Sequence, residues 1–117
     1  VFISLGRGMS IGYAPKDAKG NRLTNYKWLY CIPEYPTPLD HFNLRKVAFG
    51  YTFYGFSCHY PGIEPALVAI SLGARVVEVH FCLSRNDIYN PDITSSVTPI
   101  ELARLVEFAK QAPEILG

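Results

Sequence analysis

Four apolar, strand-like runs recur along the chain: "VFIS" (Val1 to Ser4), "YKWLYCI" (Tyr26 to Ile32), "YTFYGF" (Tyr51 to Phe56) and "RVVEVHFCL" (Arg75 to Leu83). No hairpin signal of the Asn-Gly or Asp-Gly kind joins one to the next, so neighbouring strands are not expected to run antiparallel. Between them lie segments long enough for crossovers, some with helical punctuation. Alternating units with apolar strands imply a parallel sheet covered by helices.

The helices announce themselves by their ends. In "GIEPALVAISLGA", Pro65 stands near a helix start, where its missing N–H costs nothing, and Gly73 stands just past the end. The last helix opens on "TPIE": Thr98 as cap, Pro99 at the first helical position, and Glu101 reaching back to complete a capping box. Leu102, Leu105, Val106 and Ala109 form its apolar stripe. "LDHFNLRKV" makes one or two helical turns after the prolines of "PEYPTP". Residues 11–25 are polar, carry Pro and two Gly, and read as a loop.

The expected fold is therefore α/β with a parallel sheet, in an order compatible with part of a (β/α)8 TIM-type barrel. Four βα units make half of such a barrel, which typically takes about 250 residues, whereas this chain has 117. Half a barrel leaves two open sheet edges. Three readings stay open: a piece of a longer chain, a unit that pairs with another copy or partner, or a small open sheet. The chain starts abruptly on an apolar run without Met, which favours something upstream.

Composition narrows the function classes. Hydrophobic residues are 49% and charged residues 18% of the chain, which suits an ordinary folded domain. A net charge of +1 without a basic cluster disfavours nucleic acid or an anionic membrane as partner. No apolar run approaches the ~20 residues of a bilayer span. Cys31, Cys58 and Cys82 show no Cys-x-x-Cys spacing; an odd count without a secretion signal reads as reduced thiols in the cytoplasm.

In parallel α/β proteins functional groups gather at the C-terminal ends of strands. There the second strand offers Glu34 and Tyr35. The third offers Ser57, Cys58 and His59. The fourth carries Glu78 and His80 and leads to Arg85 and Asp92. His59 and His80 end neighbouring strands ~4.8 Å apart, so two imidazoles at matched height can share one divalent ion. The competing reading is that each is a hydrogen-bonded rim residue. A Cys58–His59 nucleophilic pair is disfavoured, because adjacent strand residues point to opposite faces. His41, in a polar segment, reads as a surface residue.

The segments "YCIPEYPTPLDHFNLR", "GFSCHYPGIEPALVAISLGARVVEVHFCL" and "NPDITSSVTPIELARLVEFAKQAPEILG", with "GMS" (Gly8 to Ser10) as a weaker anchor, resemble the sialic acid synthase family. That family comprises the N-acetylneuraminate, legionaminic and pseudaminic acid synthases. The resemblance covers roughly residues 27–117 in order. It implies the C-terminal half of the catalytic barrel over residues 1–117, with the N-terminal half and the antifreeze-like domain absent. The implied reaction condenses phosphoenolpyruvate with an N-acetylated hexosamine, such as N-acetylmannosamine, to a nine-carbon 2-keto sugar acid. A divalent metal, Mn2+ or Mg2+, assists it.

Carried over position by position, the resemblance makes His59 and His80 the metal ligands and Ser57 a phosphoenolpyruvate contact. It places Tyr35, Glu78 and Asp92 in the sugar pocket; the acid/base residues belong largely to the half not seen here. The open sheet edges, apart from the resemblance, favour self-association into a homo-oligomer. Three positions depart from the family pattern. Cys58 replaces the usual Asp of Ser-Asp-His, Val79 replaces a Lys or Arg, and Pro33 stands where Ser or Asn is common. The connections before "YKWLYC" and before "GFS" are shorter than the family's. These departures keep two alternatives in view: a degenerate, non-catalytic relative binding a sugar acid, metal or protein partner, and another phosphate- or metal-handling barrel enzyme.

Overall fold

The computed structural model describes residues 1–6, 12 and 14–117; the "GMS" anchor lies outside the described residues. Five parallel strands form one sheet in sequential order: β1 (Phe2–Leu5), β2 (Lys27–Cys31), β3 (Gly55–Cys58), β4 (Val76–Phe81) and β5 (Ser96–Val97). Sequential parallel order is that of a barrel wall, with β1 and β5 as the outermost strands. The α/β class expected from the sequence is what the structure shows.

Helix α1 (Glu64–Ser71) follows β3 and α2 (Pro99–Leu116) follows β5. Helix α1 begins with Pro65 in its first turn, and Gly73 sits past its end at φ +103°, a left-handed conformation that glycine adopts without a Cβ penalty. The capping box at α2 is complete. Glu101 N–H donates to Thr98 Oγ1, and Thr98 N–H donates to Glu101 Oε2 at 2.7 Å, an arrangement that contributes about 1 kcal/mol. Arg85 joins it with two bonds to the Glu101 carboxylate, at 2.7 and 2.6 Å, and one to the Ser96 carbonyl. The loop after β4 is thereby tied to the start of α2.

Two sequence expectations need correction. The third strand is Gly55–Cys58, not Tyr51–Phe56. Tyr51, Thr52 and Phe53 all turn their N–H groups onto the Ala48 carbonyl, around Gly50 at φ +79°. The aromatic residues there serve packing, not a pleat. The second difference is β5, a two-residue strand inside what reads as a loop. It forms because Val97, fully buried, pairs with Phe81 and accepts from Cys82 N–H at 3.0 Å.

The outer face of the sheet carries the core. Phe56 and Cys58 pack with Leu44, Phe49, Ala69 and Ala74, and Tyr30, Phe42, Phe53, Tyr60 and Val79 close around them. Between β2 and β3 only two single 3-10 turns occur, Leu39–His41 and Leu44–Lys46. Aromatic edge-to-face contacts occupy the volume that a full helix would otherwise cover: Tyr30 with Phe49 and Phe53, Phe42 with Phe56 and Tyr60. On α2, Leu102, Leu105, Val106 and Ala109 face α1 and β4 across an apolar cavity of about 720 Å3. It lies on the outer face, away from the strand ends where the titratable groups meet.

The inner face stacks by register. Leu29, Gly55 and Val76 are neighbours in one layer, and Ser57 and Glu78 in the next. Gly55 is required here: a Cβ on it would collide with the Val76 carbonyl oxygen and lie 2.9 Å from Leu29 Cδ2. Neither a ladder carbonyl nor a buried Leu can yield without opening the β3–β4 pair. Gly55→Ala is therefore expected to destabilise the fold by about 3 kcal/mol or more, read from the urea midpoint at unchanged slope. A loss below about 0.5 kcal/mol contradicts the packing described.

Candidate functional site

The site is built from the C-terminal ends of β2, β3 and β4. Register places Cys31 beside Ser57 and Ser57 beside Glu78. One step further along the same face come His59 and His80, whose ring centroids lie 5.2 Å apart with planes at 77°. Side-chain period 2 explains why Ser57 and His59 share a face with Glu78 and His80. Cys58 and Val79 lie between them and point the other way.

Each group has a defined partner. Ser57 Oγ–H donates to Glu78 Oε2. His59 is buried, and its Nδ1–H donates to the Ile32 carbonyl at 2.8 Å. A carbonyl accepts only, so in the neutral ring this bond selects the Nδ1–H tautomer and puts the lone pair on Nε2, which lies 3.5 Å from Ser57 Oγ. His80 Nδ1 lies 3.4 Å from Asp92 Oδ2. Asp92 is held by its own turn: Asp92 N–H donates to Asn90 Oδ1, while Ser95 N–H and Ser96 Oγ–H donate to its carbonyl.

Tyr35 covers the pair. Its ring stacks on His59 at 4.0 Å between centroids and lies 5.8 Å from His80. Partial burial, with Cys31, Glu78 and Asp92 nearby, pushes its hydroxyl pKa up, so it stays a neutral donor. The "PEYPTP" turn that carries it has a cis Tyr35–Pro36 bond and is fastened by Thr37. Thr37 is buried; its N–H donates to the His59 carbonyl at 2.9 Å and its Oγ1–H to the Glu34 carbonyl at 2.8 Å. On the outside, Glu34 Oε2 meets His41 Nδ1 at 2.6 Å and raises the His41 pKa by hydrogen bond and charge. His41 is exposed, as expected.

All six site residues named from the sequence thus fall in one place: Tyr35, Ser57, His59, Glu78, His80 and Asp92. Three contributors were missed. Cys31 belongs to the Ser57–Glu78 layer, its thiol pKa raised chiefly by burial. Thr37 and the Ile32 carbonyl orient the turn and the imidazole. Only the β2–β3 register reveals the first, and backbone conformation the other two.

Among the described residues, no group of three or more His, Cys, Asp and Glu side chains is assembled to hold a metal ion. The two imidazoles still suit a divalent cation. With the Ile32 carbonyl at Nδ1, the neutral ring of His59 turns its lone-pair nitrogen Nε2 to the site, and the Asp92 carboxylate stands at Nδ1 of His80. Such partners commonly orient metal-bound histidines. Two nitrogens leave room for oxygen ligands from water or substrate.

Two departures from the family pattern turn out to be one. Cys58 and Val79 are register partners across β3–β4 and both pack into the outer core. Burial pushes the Cys58 thiol up to about 11, so it is neutral. The resemblance puts an Asp and a Lys or Arg at these two positions; this chain has an apolar pair there, and a buried apolar pair is often as stable as a buried ion pair or more so. Neither position faces the site. Cys58→Asp alone is expected to cost about 3 kcal/mol or more, since it buries an unpaired charge. Cys58→Asp with Val79→Lys should recover at least about 1 kcal/mol of the summed single costs in a double-mutant cycle. Additive costs would contradict the pairing.

Known proteins are similar to this chain in sequence and fold. The NeuB family model covers residues 5–117. The chain is 37% identical over 103 residues to the N,N'-diacetyllegionaminic acid synthase of Campylobacter jejuni, spanning 84% of this chain and 30% of that protein. It is 32% identical over 98 residues to human N-acetylneuraminate-9-phosphate synthase, spanning 80% and 27%. In three dimensions it superposes on the N-acetylneuraminic acid synthetase of Leptospira borgpetersenii with a TM-score of 0.70 and 33% identity, over 79% of this chain and 33% of that one. The chain spans about a third of the length of these relatives. The five-stranded parallel sheet, the residues at its strand ends and these matches together make this chain a member of the NeuB family, the family of the sialic, legionaminic and pseudaminic acid synthases.

Proposed function

We propose that residues 1–117 form the C-terminal half of a (β/α)8 synthase barrel that condenses phosphoenolpyruvate with an N-acetylated hexosamine to a nine-carbon 2-keto sugar acid. The observation that carries this reading is the His59–His80 pair, 5.2 Å apart at the ends of adjacent strands, with Ser57, Glu78, Asp92 and Tyr35 around it.

His59 and His80 would hold Mn2+ or Mg2+, which supplies Lewis-acid polarisation of a carbonyl oxygen when bound. Ser57 would contact the phosphate of phosphoenolpyruvate; its proton now goes to Glu78, and it would turn to an anionic oxygen if Glu78 engaged the sugar. Asp92 holds the His80 ring. Tyr35, kept neutral, lies flat over His59 and offers a hydroxyl donor and an apolar wall to the sugar. Cys58 contributes nothing on this face, so its replacement of the family's Asp leaves the site's donors in place. Among the described residues no helix is long and apolar enough to cross a membrane, and three free thiols suit the reducing cytoplasm. Self-association through the outermost strands β1 and β5 belongs to the same proposal.

Phosphoenolpyruvate titrated into the chain with excess Mn2+ should bind saturably by calorimetry. Ser57→Ala should weaken it about tenfold, the loss of one hydrogen bond to a charged group. A folded wild-type chain that shows no saturable binding, or a Ser57→Ala variant that binds equally well, overturns the assignment.

A further inference from the structure

At the opposite end of the sheet, where the strands begin, lies a second pocket. Its volume is about 320 Å3, and Tyr26, Lys27, Trp28, Tyr51, Tyr54 and Arg75 supply its side-chain walls and charge. No carboxylate is among its lining residues. Neither Lys27 nor Arg75 takes part in an ion pair among the described residues. Lys27 instead holds its ammonium 5.3 Å from the centre of the Tyr54 ring.

The frame of this pocket is rigid. Tyr54 N–H donates to the Trp28 carbonyl and Arg75 N–H to the Tyr54 carbonyl, both at 2.9 Å. Main-chain bonds thus continue the sheet across β2, β3 and β4 and fix Trp28, Tyr54 and Arg75 relative to one another. Tyr26 packs edge-on against Trp28 at 5.1 Å. Two cations without acidic partners make a local positive field. Trp28 is almost fully buried and the Tyr54 ring is stacked by Phe2 and faced by Lys27, so the exposed Tyr51 ring is the wall left open for a flat ring to stack on.

We infer that this pocket is a second binding site, for a ligand that joins an aromatic ring to a phosphate, of which a nucleoside monophosphate is the simplest. Arg75 and Lys27 take the phosphate and the Tyr51 ring takes the base. The site is separate from the strand-end histidines and does not rest on the condensation reaction.

Trp28 is the sole tryptophan of the chain and, though almost fully buried, lines this pocket, so its fluorescence serves as the reporter. AMP titrated into the full 117-residue chain should quench or shift Trp28 emission saturably. Lys27→Ala and Arg75→Ala should each weaken the AMP isotherm about tenfold, while His59→Ala and His80→Ala leave it unchanged. Inorganic phosphate should bind more weakly than AMP. Arg75 is exposed and stands just before β4, so its variant keeps the test decisive if Lys27→Ala fails to fold. The absence of a saturable change overturns the inference, as does quenching that is equal in the wild type and both cation variants. Phosphate binding as tight as AMP overturns the aromatic part.

Discussion

The parallel register of β3 and β4 is the constraint on which the rest depends. Pairing Ser57 with Glu78 and Cys58 with Val79 sets two faces at once. Every second residue goes inward to a polar stack that ends in His59 and His80; every other goes outward into an aromatic core. A slip of one residue would send the histidines into the core and the valines into the site. Gly55 holds the register from below, because only a residue without a Cβ fits between Leu29 and the Val76 carbonyl. Thr37 holds it from above through the His59 carbonyl.

The economy of the outer face follows from the same register. Short connections replace the covering helix between β2 and β3, and aromatic side chains from those connections, notably Phe42, Phe49 and Phe53, cover the strands instead. The Cys58–Val79 pair suits this environment. An ion pair behind the site would need excellent geometry to offset its desolvation, whereas a thiol and a valine need only volume.

Much of this was legible in the sequence, and what was not has physical causes. The parallel sheet followed from apolar runs without hairpin turns, and the capping box from the spacing of Thr98 and Glu101. The two histidines followed from their positions at strand ends, and the opposite orientation of Cys58 from side-chain period. The misplacement of β3 came from reading aromatic content as strand propensity, when Tyr51 to Phe53 instead wrap the Ala48 carbonyl. The strand β5 was invisible because a two-residue strand owes its existence to a neighbour, here His80 and Phe81. Cys31 did not stand out as a site residue because its place beside Ser57 depends on how β2 aligns with β3, which no local pattern encodes. That Cys58 and Val79 are neighbours likewise depends on the β3–β4 register and not on any local pattern.

The measurement that bears most directly on the account is Mn2+ binding followed by NMR of the histidine rings. If His59 and His80 share one ion, substoichiometric Mn2+ broadens both rings together and leaves His41 sharp, and either His59→Ala or His80→Ala abolishes the effect at the remaining ring. Broadening of one ring alone, or broadening of His41 with the others, would contradict a shared site and with it the reading of this strand end as a metal-assisted condensation centre.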